Sequence, residues 1–193
     1  MDAQTLLVIF MHLKLVVFSS CCLISIANGA MGLDEADVLR IGTLNQCEGC
    51  DLREAELIDA NLSTGVLKNA DLRQANLRGA DLSKAKLNHA KLRKANLSDA
   101  NLAGADFRDS DMRNTILIGA DLRFANLTAV NLSKADLANS NLARATLAGA
   151  TLRGSNLTSA NLGKADLREA DLSGATLIQT NMAKINLRKA YLG

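Results

Sequence analysis

Residues 50–192 follow a hydrophobic and polar pattern with a period of five that never gains or loses a residue. From position 52 to position 192, every fifth residue is leucine except Phe107, Met112 and Met182. The residue two places before each of these positions is alanine or another small residue, with few exceptions. A strict internal period of this kind indicates a repeat architecture in which each repeat packs on its neighbours.

The period of five excludes both a long helix and a flat strand. An α-helix turns by about 100° per residue, so leucines five apart would spiral around it and leave no apolar stripe. In a flat strand, successive leucines would point to opposite faces because side chains alternate. A backbone that turns by the same angle after each pentad keeps every leucine and small residue inside. The pattern therefore predicts a stacked coil, in which each buried leucine contributes roughly 1.5–3 kcal/mol.

A second period of twenty residues supports a coil built from four pentads per turn. Its members are Arg53, Arg73, Arg93, Arg113 and Arg153, interrupted by Ser133. On such a coil they form a column, and guanidinium groups about 4.8 Å apart would present bidentate donors to an anionic polymer or headgroup. The alternative, which we favour, is a solvated ladder of ion pairs that contributes little to stability. The acids in that ladder would be Asp51, Asp71 and Asp111.

The repeated phrase A(D/N)LXX, as in ADLRQ at 70–74 and ANLRG at 75–79, resembles the pentapeptide-repeat family. The resemblance covers 29 consecutive pentads. It implies an all-β solenoid, a right-handed quadrilateral β-helix with the central leucine and the preceding alanine pointing inward. At four pentads per coil the chain would form about seven coils and a rod about 34 Å long.

The N-terminal segment 1–30 has the features of a secretory signal peptide. His12 and Lys14 precede an apolar run at 15–26, and small residues follow it. That run is too short to indicate a transmembrane span. Two alternatives remain open, which are lipoprotein-type cleavage at Cys21 and an uncleaved anchor. With the family resemblance, export implies the periplasm or the thylakoid lumen of a cyanobacterial-type or plant cell.

Residues 31–49 are predicted to form an N-terminal cap and a junction. The segment 33–41 is predicted to be a short α-helix, with Asp34 as its N-cap and Gly42 as its stop. Such a helix would cover the open strand edges of the first coil. Cys47 and Cys50 follow and are expected to face the core, where a disulfide and two buried free thiols are equally compatible with the pattern. Zinc would need two further ligands, so no metal is predicted.

The composition argues against catalysis. The predicted mature chain has one histidine, and its two cysteines belong to the junction. Most carboxylates occupy the slot before leucine, where Asp and Asn alternate freely, as expected for a short side chain that bonds local backbone. We therefore predict no enzyme, no cofactor and no small-molecule substrate. With 3% aromatic residues, the chain also lacks the stacking groups typical of nucleic-acid binding.

Residues 106–130 depart most from the repeat and form the candidate interaction region. Ile116, Ile118 and Phe124 place apolar groups outside the coil, which is typical of a partner site, although neutral drift explains them equally well. The candidate surface consists of these three residues and Arg53, Arg73, Arg93 and Arg113. The predicted function is an exported, non-enzymatic scaffold or protein-interaction module with an unknown protein partner.

Two further partner hypotheses come from the family. Some members stack end to end, and the final coil, with Met182, Ile185 and Leu187 at its edge, could form such a homodimer. Others mimic a DNA duplex and bind DNA gyrase, which would make this chain a cytosolic regulator. The repeat region holds 20 Lys and Arg against 15 Asp and Glu, a net charge of +5. Because a duplex mimic should be acidic, the scaffold is preferred to the regulator.

Overall fold

The computed structural model describes Leu15–Phe18, Cys22–Ser25 and residues 45–193. Leu15–Phe18 forms strand β1 and Cys22–Ser25 forms strand β2, and the two pair antiparallel with Leu15 opposite Ser25. Both strands fall within the predicted signal segment, and the rest of that segment lies outside the described residues. The capping helix predicted for 33–41 also lies outside them.

From Gln46 to Tyr191 the backbone winds into a solenoid in which single parallel bridges join residues twenty positions apart. Asp111, for example, bridges to Lys91 on one side and to Asn131 on the other. A spacing of twenty residues is the turn of four pentads that the arginine period predicts. Each position of the sequence therefore recurs as a column along the solenoid.

Each pentad contributes one short extended stretch and one turn. In the pentad of Leu92, the leucine N–H donates to the carbonyl of Asp111 in the next coil at 2.8 Å, and the Asp111 N–H donates back to Ala90 at 3.0 Å. The turn is closed by the Ala95 N–H, which donates to the Leu92 carbonyl at 2.9 Å. Its third residue, Lys94, has a φ of 61°, as the third residue of a type II turn requires.

The core is a single file of central leucines and small residues. Leu92 and Leu142 are 0% exposed, and the alanines between the leucines are buried through most of the solenoid. At three of the positions that usually hold alanine, a buried Ser or Thr hydroxyl donates to the carbonyl three residues earlier. Their bonds are Thr115 to the Met112 carbonyl, Ser140 to the Leu137 carbonyl and Ser155 to the Leu152 carbonyl. The fourth buried hydroxyl, that of Ser110, has no hydrogen-bond partner.

The polar slot before each leucine stabilises the turn that follows it. The Asn96 Oδ1 atom accepts the N–H of Ser98 at 3.1 Å and the Ser98 hydroxyl at 2.7 Å. Asp81 accepts the N–H of Ser83 in the same way at 2.9 Å. The prediction that this slot needs a short side chain able to bond local backbone is confirmed.

Candidate interaction surface

Ile116 and Ile118 are outward-facing apolar side chains in one pentad, Ile116 on its bridge and Ile118 in the turn that follows. They flank the buried Leu117, and both face solvent, with 39% and 37% of their surface exposed. The bridge partners of Ile116 in the adjoining coils are Asn96 and Asp136, both polar. Ile116 therefore interrupts a polar column with an apolar side chain.

Phe124 lies one pentad further on, in the turn after Leu122. The residue is 58% exposed, and its backbone has a φ of 61°, in the left-handed region that L-residues with a Cβ atom rarely adopt. The guanidinium carbon of Arg144 lies 5.5 Å from the ring centroid, a cation–π contact that covers part of the ring. The structure thus places the three apolar candidates in two consecutive pentads.

The arginine column is mostly paired with acids. Arg53, Arg73 and Arg113 each place Nη2 at 2.6 Å from the carboxylate of the aspartate two residues earlier. Their Nε atoms bind the same carboxylates, so each contact is bidentate. This arrangement corresponds to the solvated ladder and not to a line of free donors.

The arginine side chains also shift the acidity of their partners. At Asp111 the hydrogen bond from the Arg113 side chain is the largest cause, and it holds the pKa of the carboxyl below its usual value in spite of partial burial. The carboxylate in turn raises the pKa of Arg113. Both groups therefore remain charged at neutral pH, and their charges offset each other.

Arg93 is the exception within the column. Lys91 occupies the slot that holds aspartate in the coils above and below, and it bridges to Asp71 and Asp111. Arg93 accordingly has no acid two residues before it, and Lys94 follows it directly. The middle of the arginine column is its most basic part.

Cys47 and Cys50 are joined by a disulfide in the structure, with their Cα atoms 5.2 Å apart. Both residues are buried at the first turn of the solenoid, as expected from the repeat phase. Within the part of the chain that the structure describes, no cluster of His, Cys, Asp and Glu could hold a metal ion. Over the same residues, the search for an apolar helix long enough to span a bilayer finds none.

The sequence interpretation missed a groove on the second half of the solenoid, lined by Asn161, Gly163, Lys164, Asn181 and Lys184 among others. The signal for it lies in the sequence. Residues 141–144, 161–164 and 181–184 repeat the order Asn, apolar, small, basic at intervals of twenty. The strict period of five hides this repeat because it appears only when whole coils are compared.

The fold, the period and the polar slot define a class of solenoid built from pentads. The family model for pentapeptide repeats matches eight copies, at residues 66–99, 95–133, 135–174 and 170–192. The match covers more than half of the chain, and the chain belongs to the pentapeptide-repeat family. Members of this family are generally non-enzymatic structural or interaction modules.

Solved structures of the same family resemble the chain. HetL from Nostoc sp. strain PCC 7120, a protein involved in the regulation of heterocyst differentiation, is 25% identical, with a TM-score of 0.53. That alignment covers 82% of this chain and 96% of HetL. Rfr23 from Cyanothece 51142 is 30% identical over 82% of this chain and 98% of its own, with a TM-score of 0.33.

A third structure comes from a plant. A pentapeptide-repeat protein from the Arabidopsis thaliana thylakoid lumen is 28% identical over 65% of this chain and 70% of its own, with a TM-score of 0.34. A comparison with curated proteins finds no match. The comparisons therefore establish the family and the solenoid fold.

Proposed function

We propose that the chain is an exported, non-enzymatic scaffold that binds a protein partner through an apolar patch formed by Ile116, Ile118 and Phe124. The exposure of these three side chains carries the proposal. In the columns that contain them, the neighbouring coils place Asn96, Asp136 and other polar or small residues at the surface. Apolar side chains exposed on a polar surface are typical of a site that is covered by a partner.

The geometry of the solenoid favours binding over catalysis. Its core is filled by leucine and alanine, and the aspartates of the polar slot are held in turn-closing bonds or arginine pairs, as at Asp111 and Asp121. A rigid rod whose outward side chains recur in columns can present a fixed pattern of groups to a partner. We propose about seven coils for this rod, with the helix 33–41 covering its first coil.

A set of substitutions drawn from the repeat itself tests the patch. Ile116→Asn, Ile118→Ser and Phe124→Lys introduce residues that occupy the same columns in other coils, at Asn96, Ser98 and Lys84, so the fold should tolerate them. The triple variant and the parent protein would be used as baits in the native compartment, with captured proteins quantified after crosslinking. We expect the specific partner to be lost from the triple variant.

The matched control is Ile178→Ser, which removes an equally apolar side chain from the column of Ile118 three coils away. Ile178 is 62% exposed, so its replacement should disturb the fold no more than the triple variant does. The patch is the wrong site if the triple variant retains every captured partner. It is also the wrong site if the control loses the same partner.

Export is the second part of the proposal, with removal of 1–30 and delivery to the periplasm or the thylakoid lumen. The Cys47–Cys50 disulfide supports it, because disulfides persist in oxidising compartments. N-terminal sequencing of the protein from fractionated cells should give a first residue near 30 or 31. A chain that keeps Met1 and stays in the cytosol would instead support a regulator with a cytosolic target.

The final coil also supports an end-to-end homodimer. Tyr191 and Leu192 are 62% and 55% exposed, and Leu177, Ile185 and Leu187 are only partly buried against the core. A second copy stacked on this coil would cover these side chains and pair the strand edges. Light scattering should give the mass of a dimer at micromolar concentration, and a monomer mass would contradict the proposal.

A further inference from the structure

Three successive coils in the second half of the solenoid repeat one short motif in register. It reads Asn-Leu-Ala-Arg at 141–144, Asn-Leu-Gly-Lys at 161–164 and Asn-Met-Ala-Lys at 181–184. Because residues twenty apart are neighbours in adjacent coils, like residues stack on like. The motif forms an open groove of about 320 Å³, which we call the basic groove. Its floor holds only small side chains, with asparagines on one side and cations on the other.

The asparagine side of the basic groove is a hydrogen-bonded amide ladder. The Nδ2 atom of Asn161 donates to Oδ1 of Asn141 at 3.1 Å, and Nδ2 of Asn181 donates to Oδ1 of Asn161 at 2.9 Å. The Oδ1 atom of Asn161 also accepts the N–H of Gly163 at 3.0 Å. Since each amide nitrogen carries two hydrogens, every rung keeps one donor for a ligand. The ladder therefore presents a row of donors.

The cation side consists of Arg144, Lys164 and Lys184. Among the described residues, none of the three forms an ion pair. Acids are scarce in this half of the solenoid, because residues 137–193 contain seven basic residues and only three acidic ones. All three acids bind bases outside the groove. These pairs are Arg168–Asp166, Arg153–Asp171 and Lys189–Glu169. The positive charge of the groove is thus left uncompensated by the protein.

We propose that the basic groove binds an acidic polysaccharide that carries a carboxylate on successive sugar rings and lies along the solenoid axis. The cations recur at the spacing of stacked strands, about 4.8 Å, which is close to the length of one pyranose ring. Successive rings rotate along such a polymer, so the long cationic side chains would reach the carboxylates from both of its edges. The ring hydroxyls would accept the free amide hydrogens of the asparagine ladder. The small floor at Ala143, Gly163 and Ala183 leaves room for the rings.

The lining of the groove argues against other polyanions. An extended acidic peptide carries carboxylates on one face about every 6.6 Å but lacks the row of hydroxyls that would accept the amide hydrogens of the asparagine ladder. Single-stranded nucleic acids bind on rows of aromatic side chains. The groove is lined by none, and Phe124 beyond its end is already in contact with Arg144. A sugar polymer fits the charges, the donors and the floor together.

Calorimetric titration of the full chain with hexagalacturonate at low salt tests the proposal. The variant Arg144→Gln, Lys164→Gln, Lys184→Gln should bind the probe about tenfold or more weakly, because it loses three charge-assisted contacts. The control Arg153→Gln, Arg188→Gln, Lys189→Gln removes the same charge from the same half of the rod outside the groove. We expect the control to change the affinity by about threefold or less, since charges at a distance are screened.

A second variant tests the shape of the groove without changing its charge. Gly163→Thr should fit the fold, because threonine follows asparagine at the equivalent place in Thr128 and Thr158, where its hydroxyl bonds the Asn Oδ1 atom. It raises the floor, so we expect weaker binding of hexagalacturonate. Circular dichroism and thermal melting should show that every variant keeps the parent fold.

The proposal is overturned if the parent protein does not bind hexagalacturonate. Equal losses in the groove variant and in the control would also overturn it, because they would show charge attraction without a site. Hexaglutamate and oligothymidylate are the competing probes, and equal or tighter binding of either would reject a polysaccharide. Neutral maltohexaose should not bind.

Discussion

The Arg113 side chain binds the carboxylate of Asp111 through two parallel hydrogen bonds, Nε to Oδ1 at 2.8 Å and Nη2 to Oδ2 at 2.6 Å. The same Oδ1 atom accepts the Arg113 N–H at 3.2 Å. The aspartate thus closes the turn and neutralises the arginine. This geometry recurs wherever the repeat places an arginine two residues after the aspartate of the polar slot, with Leu, Phe or Met between them. The other pairs are Asp51–Arg53, Asp71–Arg73, Asp106–Arg108, Asp121–Arg123 and Asp166–Arg168.

These pairs predict a loss of stability in acid. The pKa of Asp111 is lowered from 3.8, mainly by the hydrogen bond from Arg113, and Asp106 and Asp121 behave alike. A carboxyl whose pKa is lower in the folded state stabilises the fold above its unfolded pKa and loses that contribution as the pH falls through the folded value. We expect Tm to change little between about pH 7 and 5 and to fall below about pH 4.

Asp111→Asn provides the matched variant for this effect. Asparagine keeps the Oδ1 acceptor for the turn, as Asn96 and Asn101 show, but removes the charge. At pH 7 its Tm should lie no more than about 3 °C below that of the parent, because exposed ion pairs contribute little. At a pH where Asp111 is protonated, the difference should shrink. A constant difference at all pH values would show that the charge is irrelevant.

Most of the solenoid could be predicted from the sequence because one period fixes both the inside and the turn. Residues equivalent to Leu92 and Ala95 occur every five positions, and a four-sided coil buries all of them. The polar slot before leucine was predictable too, since Asp and Asn share the ability to bond local backbone. The conformation of Lys94 was not, because left-handed φ values are disfavoured for L-residues and no residue type marks that corner.

The surface was harder to predict than the core. The pairing of Arg113 with Asp111 followed from the strand geometry, and the exposure of Ile116 followed from its place beside a central leucine. The groove beside Lys164 was not predicted, because it depends on the residues twenty positions before and twenty positions after Lys164, which are Arg144 and Lys184. Each coil contributes a single cation, which looks like an ordinary surface residue until three coils are aligned.

The buried hydroxyl of Ser110 predicts a stabilising substitution. Ser110 is 2% exposed and its Oγ atom has no hydrogen-bond partner, whereas the hydroxyl of Ser140 donates to the Leu137 carbonyl at 2.6 Å. Ser110→Ala removes an unsatisfied polar group, so we expect the free energy of unfolding to rise by about 1 kcal/mol. Ser140→Ala should instead lower it by about 0.5–1.5 kcal/mol. Urea denaturation of both variants gives the comparison, and equal effects would contradict this difference.

The single-file core predicts that one leucine matters wherever it lies along the solenoid. Leu92 is 0% exposed, and no second layer of side chains could move in to fill its place. Leu92→Ala should therefore lower the free energy of unfolding by about 2–5 kcal/mol. Ile178→Ala, at a side chain that is 62% exposed, should change it by less than about 0.5 kcal/mol. Similar losses from the two variants would contradict a core made of central leucines.

The corner conformation can be tested on two neighbours of one column, Ala129 and Gly149. They lie twenty residues apart, and both have positive φ values, 56° and 66°. A Cβ atom added at Gly149 would meet nothing within 4 Å, so Gly149→Ala changes the backbone preference without a steric clash. We expect it to lower the free energy of unfolding by about 1 kcal/mol.

Ala129→Gly should have the opposite sign. Glycine adopts the left-handed region without the Cβ penalty, although its greater freedom in the unfolded chain offsets part of the gain. We therefore expect a rise of roughly 0.5 kcal/mol, measured by the same denaturation. The two variants exchange the same pair of residue types in the same column, so differences in packing cancel. If both variants lowered the free energy of unfolding, their effects would be due to burial or side-chain contacts and not to the left-handed backbone conformation.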